Sequence, residues 1–308
     1  MPASHAQVNR EPAFSEERTW VRSSAPVAGG RALPIGTRIE EFEVTSVIGE
    51  GGFGVVYLAL DRMLERRVAV KEYLPWTLAA RLEGSTTVTV RTQQDAEMFD
   101  LGLRSFVNEA KLLAQFDHSA LLKVHRFWEG NGTAYMAMPF YDGPTMKQAL
   151  ANRASPPDEA WLREVLEPLL DALTVLHAAQ CYHRDISPDN ILLTATGPVL
   201  LDFGAARRVL SDASQMLTVI LKDGYAPVEQ YGTSASMRQG PWTDIYALSA
   251  VMRYAITGNK AACAVDRLLR DPMQPLAQIK SGQYSAPFLR AIDLGMAVRP
   301  EERPQGIA

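Results

Sequence analysis

The strongest constraint on this chain is the order of a few short elements along it. First comes a glycine-rich turn, Ile48-Gly49-Glu50-Gly51-Gly52-Phe53-Gly54-Val55-Val56. Val68-Ala69-Val70-Lys71, a glutamate at Glu109, His183-Arg184-Asp185 with Asn190, and Leu201-Asp202-Phe203-Gly204 follow. A glycine triplet alone is a weak signal, because between a strand and a helix it reads as a dinucleotide-binding turn. Here apolar residues at Phe42, Val44 and Val47 lead in and Val55 to Leu60 leads out, so a strand is predicted on each side. The turn is then the tip of a β-hairpin. Its backbone N–H groups can approach a polyphosphate closely, since Gly49, Gly51 and Gly54 carry no side chain to obstruct them.

Composition narrows the setting. At 308 residues, 47% hydrophobic and 21% charged, the chain can bury a full core and is long enough for one large or two small domains. A formal net charge of −4 with dispersed basic residues gives no electrostatic footprint for nucleic acid. The two cysteines, Cys181 and Cys263, are too isolated for a disulfide framework or a zinc site and are read as buried thiols in a reducing compartment. Residues 1–30 lack a basic start followed by an apolar run, and no apolar stretch reaches bilayer length. A cytoplasmic segment without membrane contact is expected.

Residues 1–37 mix Pro, Ser, Ala, Arg and Glu without a sustained apolar period and are expected to form a disordered tail. Residues 38–142 read as a small antiparallel sheet, with a third strand from Arg67 to Lys71, and one main helix around Leu103 to Phe116. On that helix Phe106, Glu109, Leu113 and Phe116 fall on one stripe, so Glu109 points the same way as the apolar residues. Residues 143–308 read as mostly helical. A long amphipathic helix is predicted from Pro157 to Ala179 with Pro168 inside it, and further helices at Asp244 to Thr257 and Pro287 to Met296. Two short apolar runs, Ile191 to Leu193 and Val199 to Leu201, flank a turn. The class is α+β. The chain ends at Ala308 where another helix is expected to start, so a longer natural protein is expected.

These elements at these spacings resemble the catalytic domain of the protein kinases, over roughly residues 40–308. The Ser187-Pro188-Asp189-Asn190 loop and the Glu229-Gln230-Tyr231 ending look like the bacterial serine/threonine kinases of the eukaryotic type. The resemblance implies a bilobal fold, ATP and Mg²⁺ or Mn²⁺ as cofactors, protein substrates with Ser or Thr acceptors, and self-association for autophosphorylation. It makes Gly49, Glu50, Gly51, Gly52, Phe53 and Gly54 the flap over the triphosphate. Lys71 would contact the α- and β-phosphates and pair with Glu109. The stretch between those two residues is longer than in most of the family and holds Glu72-Tyr73-Leu74-Pro75, which leaves Glu97 as an alternative partner. Val56, Ala69 and Leu192 would sandwich the adenine, with Met138 as gatekeeper and Pro139, Phe140 and Tyr141 as hinge. Asp185 would be the base, and Asn190 and Asp202 the metal ligands. Glu229 would pair with Arg303, and Asp244 would cap the catalytic loop.

Two departures stand out. Ser187 occupies the place where serine/threonine kinases usually have lysine, and Lys222 the place where they usually have threonine. The pattern looks like an exchange of hydroxyl and ammonium that keeps one positive charge near Asp185. Val228 also stands where the family usually has proline. By spacing, Thr218 is the expected regulatory phosphosite, with Ser211 and Ser214 as lesser candidates and Arg184 as the cationic partner. The alternative reading is a pseudokinase that binds ATP or scaffolds, motivated by Ser187, Val228 and the long insertion. A small-molecule kinase is disfavoured, because those usually lack an activation segment like Asp202 to Glu229.

Overall fold

Phe42 to Val47 partly alternates apolar and polar residues, whereas β-branched and apolar runs at residues 55–57 and 68–70 are buried on consecutive residues, and together they build adjacent antiparallel strands. The computed structural model describes residues 32–82, 84–202, 221–232 and 238–307. Its strands in chain order are β1 (Arg38–Ile39), β2 (Phe42–Gly51), β3 (Gly54–Asp61), β4 (Arg66–Tyr73), β5 (Ala79–Arg81), β6 (Val88–Val90), β7 (Arg126–Gly130) and β8 (Thr133–Pro139), followed by β9 (Ile191–Thr194) and β10 (Gly197–Leu200). Among the described residues one antiparallel sheet runs β1-β2-β3-β4-β8-β7, and β5–β6 and β9–β10 are separate hairpins. The insertion between Lys71 and Glu109 therefore folds, with β5–β6 at its centre.

The fold begins earlier than residue 38. Leu33 is buried, its N–H donates to the Tyr57 hydroxyl at 3.0 Å, and Gly36 and Thr37 exchange backbone hydrogen bonds with Val44. Residues 32–37 thus pack on the sheet, which corrects the extent of the expected tail. Residues 1–31 lie outside the described residues.

Helix α1 spans Gln93–Leu113, so a helix predicted from Leu103 starts well before it. Thr92 is its N-cap, accepting from the Asp95 N–H at 3.3 Å. Its early turns bury only Phe99 and Gly102, too little apolar content to register as a period. The C-terminal part holds α2 (Met146–Ala151), α3 (Glu159–Ala178), α4 (Pro241–Thr257), α5 (Ala264–Leu269), α6 (Leu276–Ile279) and α7 (Ala286–Gly295). Helix α3 runs unbroken through Pro168, and buries Leu162, Val165, Leu169, Leu173 and Leu176. Helix α4 is buried on nearly every side, as suits the centre of a helical unit. The two parts meet where Leu121 bridges to Leu200 and Leu122 N–H donates to Leu200 at 3.2 Å. That seam sets the β9–β10 hairpin beneath the sheet.

Candidate active site

The glycine turn is the tip of the β2–β3 hairpin, closed by the pairing of Gly51 with Gly54. Open space surrounds the Cβ position of Gly51, whereas a Cβ on Gly54 would collide with the Glu72 carbonyl of β4. Gly54 is therefore required by strand packing. Val56, Ala69, Met138 and Leu192 are buried, and Pro139, Phe140 and Tyr141 are half-buried. Ala69 pairs with Met138 and Val68 with Pro139 across β4 and β8. The Arg67 guanidinium lies over the Phe140 ring at 5.1 Å.

Lys71 Nζ lies 2.8 Å from Asp202 Oδ1 and 3.8 Å from Glu109 Oε1. Glu109 is buried on α1 while Glu97 is exposed, so the packed face of the helix selects Glu109 as the partner. Opposite them, Asp244 at the start of α4 accepts the backbone N–H groups of His183 at 2.9 Å and Arg184 at 2.7 Å, and its Oδ2 lies 2.8 Å from His177 Nε2. This grip holds Arg184 at φ +63°, a left-handed conformation that a non-glycine residue rarely takes unaided. The His183 ring links two aspartates. Its Nδ1 accepts the Asp185 N–H at 3.3 Å, so Nε2 carries the proton and donates to the Leu201 carbonyl at 2.8 Å, one residue before Asp202.

Asn190 Nδ2 donates to both the Asp185 carbonyl and Asp185 Oδ2 at 2.8 Å. With its NH₂ committed to Asp185, the amide oxygen is the atom left to serve as an acceptor or a ligand. Asn190 and Asp202 together offer hard oxygen donors. Mg²⁺ needs few protein ligands, one or two carboxylates plus substrate phosphates, so this pair fits it. Lys222 Nζ donates to Ser187 Oγ at 2.8 Å and lies 3.7 Å from Asp185 Oδ2. Glu229 and Arg303, both fully buried, meet at 2.8 Å, and Thr243 Oγ1 donates to the same carboxylate oxygen at 3.0 Å.

The structure thus forms two clusters, Lys71 with Glu109 and Asp202, and Asp185 with Ser187, Asn190 and Lys222, connected through the His183 ring. Arg184 sits beside them with its guanidinium over the Tyr182 ring at 5.7 Å. Phe203, Gly204, Ser211, Ser214 and Thr218 lie outside the described residues. One buried network had no sequence signal. The Glu72 carboxylate receives Arg81, the Tyr57 hydroxyl at 2.6 Å and the Tyr135 hydroxyl at 3.0 Å. Burial pushes the Tyr57 hydroxyl's pKa up, and the Glu72 charge adds to that, so the phenol stays protonated and donates.

A family model for the protein kinase domain matches residues 42–290. The chain belongs to the protein kinase family. A solved structure of PpkA-294 in its apo form is 46% identical with a TM-score of 0.84, covering 90% of this chain and 97% of that one. Among curated proteins, the serine/threonine-protein kinase PknD of Mycobacterium tuberculosis is 28% identical over 282 residues, and PrkC of Bacillus subtilis 31% over 230. These matches take in 88% and 73% of this chain but 39% and 32% of the relatives, so the kinase domain spans well under half their length. The kinase is similar to the bacterial serine/threonine enzymes of the eukaryotic type. None of its described helices is long and apolar enough to cross a membrane.

Proposed function

We propose that this domain transfers the γ-phosphoryl group of ATP to serine or threonine hydroxyls of proteins. The observation that carries the reading is the Lys222 ammonium at Ser187 and Asp185. It provides a cation beside Asp185, where Ser187 in place of the usual lysine was one of the three reasons, with Val228 and the long insertion, for the pseudokinase alternative. Adenine enters between Val56, Ala69 and Leu192, with Met138 behind it and the backbone of Pro139 and Tyr141 along its edge. The Gly49–Gly54 turn covers the phosphates, and Lys71, steadied by Glu109, holds the α- and β-phosphates.

Asp185 accepts the substrate hydroxyl proton as the new O–P bond forms and the bond to the ADP oxygen breaks. Asn190 keeps the Asp185 carboxylate fixed in direction, and Lys222 balances charge on the γ-phosphate side. Mg²⁺ or Mn²⁺, held by Asn190 and Asp202, would supply charge neutralisation on the phosphate oxygens. The division into lobes at about residue 142, a cytoplasmic setting that keeps Cys181 and Cys263 reduced, and self-association for autophosphorylation belong to the same reading. Incubation with radiolabelled ATP tests it. Transfer by the wild type and none by Asp185→Asn supports the assignment; no transfer by the wild type to any protein, itself included, refutes it.

A further inference from the structure

The insertion between Lys71 and Glu109 does more than lengthen the sheet. As β4 ends, the chain runs along the glycine turn. Leu74 N–H donates to the Phe53 carbonyl at 3.0 Å and Trp76 N–H to the Gly52 carbonyl at 3.3 Å. Both bonds fall on the two residues at the tip of the hairpin. From outside, Arg91 Nε donates to the Trp76 carbonyl at 2.9 Å, and Arg91 N–H to the Leu78 carbonyl at 2.8 Å.

The segment is anchored at both ends. On one side Arg81, at the end of β5, reaches the Glu72 carboxylate, and the two side chains are 2% and 0% exposed. Arg81 Nε also donates to the Thr86 carbonyl at 3.2 Å, which closes the loop between β5 and β6. On the other side Val88 N–H donates to the Asn131 carbonyl at 2.8 Å, and Thr92 then caps α1. One short stretch of chain therefore connects the glycine turn to the helix that carries Glu109.

The consequence follows from peptide geometry. In a trans peptide the C=O and the next N–H point in opposite directions. Fixing the Gly52 carbonyl toward Trp76 turns the Phe53 N–H away from the strap. A glycine-rich turn otherwise samples many conformations, and that freedom must be lost when a ligand is gripped. A turn already held has less to lose.

We propose that residues 74–82 and 84–92 form a strap that sets the glycine turn in its nucleotide-holding conformation before nucleotide arrives, with Arg81, locked on Glu72, as the positioning residue. The proposal rests on the reading of that turn as the nucleotide flap. It acts on ATP affinity rather than on the chemical step, because its hydrogen bonds to the turn fall on the Gly52 and Phe53 carbonyls.

The test combines amide hydrogen exchange without nucleotide, MgATP binding by calorimetry, and steady-state kinetics. In the nucleotide-free wild type the Leu74 and Trp76 amides should be protected. Arg91→Ala, a change at an exposed side chain, should speed exchange at Trp76 and raise the KM for ATP several-fold with kcat changed by less than about twofold, the signature of lost uniform binding. Arg81→Met should weaken ATP binding by about tenfold or more and free both amides, because it leaves the Glu72 carboxylate buried without its cation. Arg81→Lys should recover part of both effects. A wild type that binds MgATP while Leu74 and Trp76 exchange freely overturns the strap alone. So does an Arg91→Ala protein whose Trp76 amide is freed while ATP affinity is unchanged. A wild type with protected amides and no MgATP binding overturns the kinase reading, and the strap's role with it.

Discussion

Lys222 Nζ and Ser187 Oγ are hydrogen-bonded at 2.8 Å, and the same ammonium stands 3.7 Å from Asp185 Oδ2. Ser187 is buried and Lys222 half-buried, so the charge is sheltered from water and acts at short range. Lys222→Thr is expected to lower the transfer rate by about a hundredfold, the scale of losing one preorganised charge contact. Adding Ser187→Lys to that variant should restore part of the rate, a non-additive result expected of side chains that share a site. Steady-state kinetics of the two singles and the double measure it. A double variant no faster than Lys222→Thr would rule out the exchange.

Lys71→Ala and Asp202→Ala should each cost at least about a hundredfold in rate. Each removes one partner of the Lys71–Asp202 contact at 2.8 Å, a polar pair that lies outside the apolar core and that the proposed function assigns to the phosphates. Melting temperatures near the wild type, measured by calorimetry, should accompany the loss. Full activity in either variant would sink the site assignment.

Arg303→Met should destabilise the fold by about 3–5 kcal/mol, because it strands the Glu229 carboxylate in a fully buried position. Arg303 also donates to the Ala297 and Val298 carbonyls at 2.7 Å, so the loss reaches the loop after α7. Replacing both partners with apolar residues, Glu229→Leu with Arg303→Met, should recover much of the stability. Urea denaturation of the two proteins decides it; a single variant as stable as the wild type contradicts the expectation.

Thr218→Ala should lower activity by about tenfold, the equivalent of one charge-assisted contact of roughly 1.5 kcal/mol between a phosphate and Arg184. Mass spectrometry of active enzyme should find phosphate on Thr218. An unmodified Thr218 together with a fully active Thr218→Ala protein would remove it from the regulatory reading.

Much of the site was legible in sequence because its parts are local. Asp185 and Asn190 lie in one short loop, and their hydrogen bond needs only the 3₁₀ turn from Pro188 to Asn190 to form. The stripe that placed Glu109 inward is a property of one helix, and the buried face of α1 holds its Phe106, Glu109 and Leu113, while Phe116 lies past the helix end at Leu113. The start of α1 was not legible, since a capped but polar first half leaves no apolar period to read. Nor was the packing of Leu33, whose neighbour Tyr57 is 24 residues away.

By itself the sequence determined the identity and order of the chemical groups, and through local pattern the strands, the main helices and the loop that carries Asp185. The tertiary structure decided which groups meet. Lys222 and Ser187 are 35 residues apart, and only the docking of the Lys222–Ala226 turn on the catalytic loop brings ammonium to hydroxyl. Glu72 follows Lys71 directly, so alternation along β4 turns its side chain to the opposite face, and there it meets Arg81. A buried charge must find its counterpart wherever the fold supplies one, and the fold supplied Arg81 from a hairpin whose position no local preference encodes.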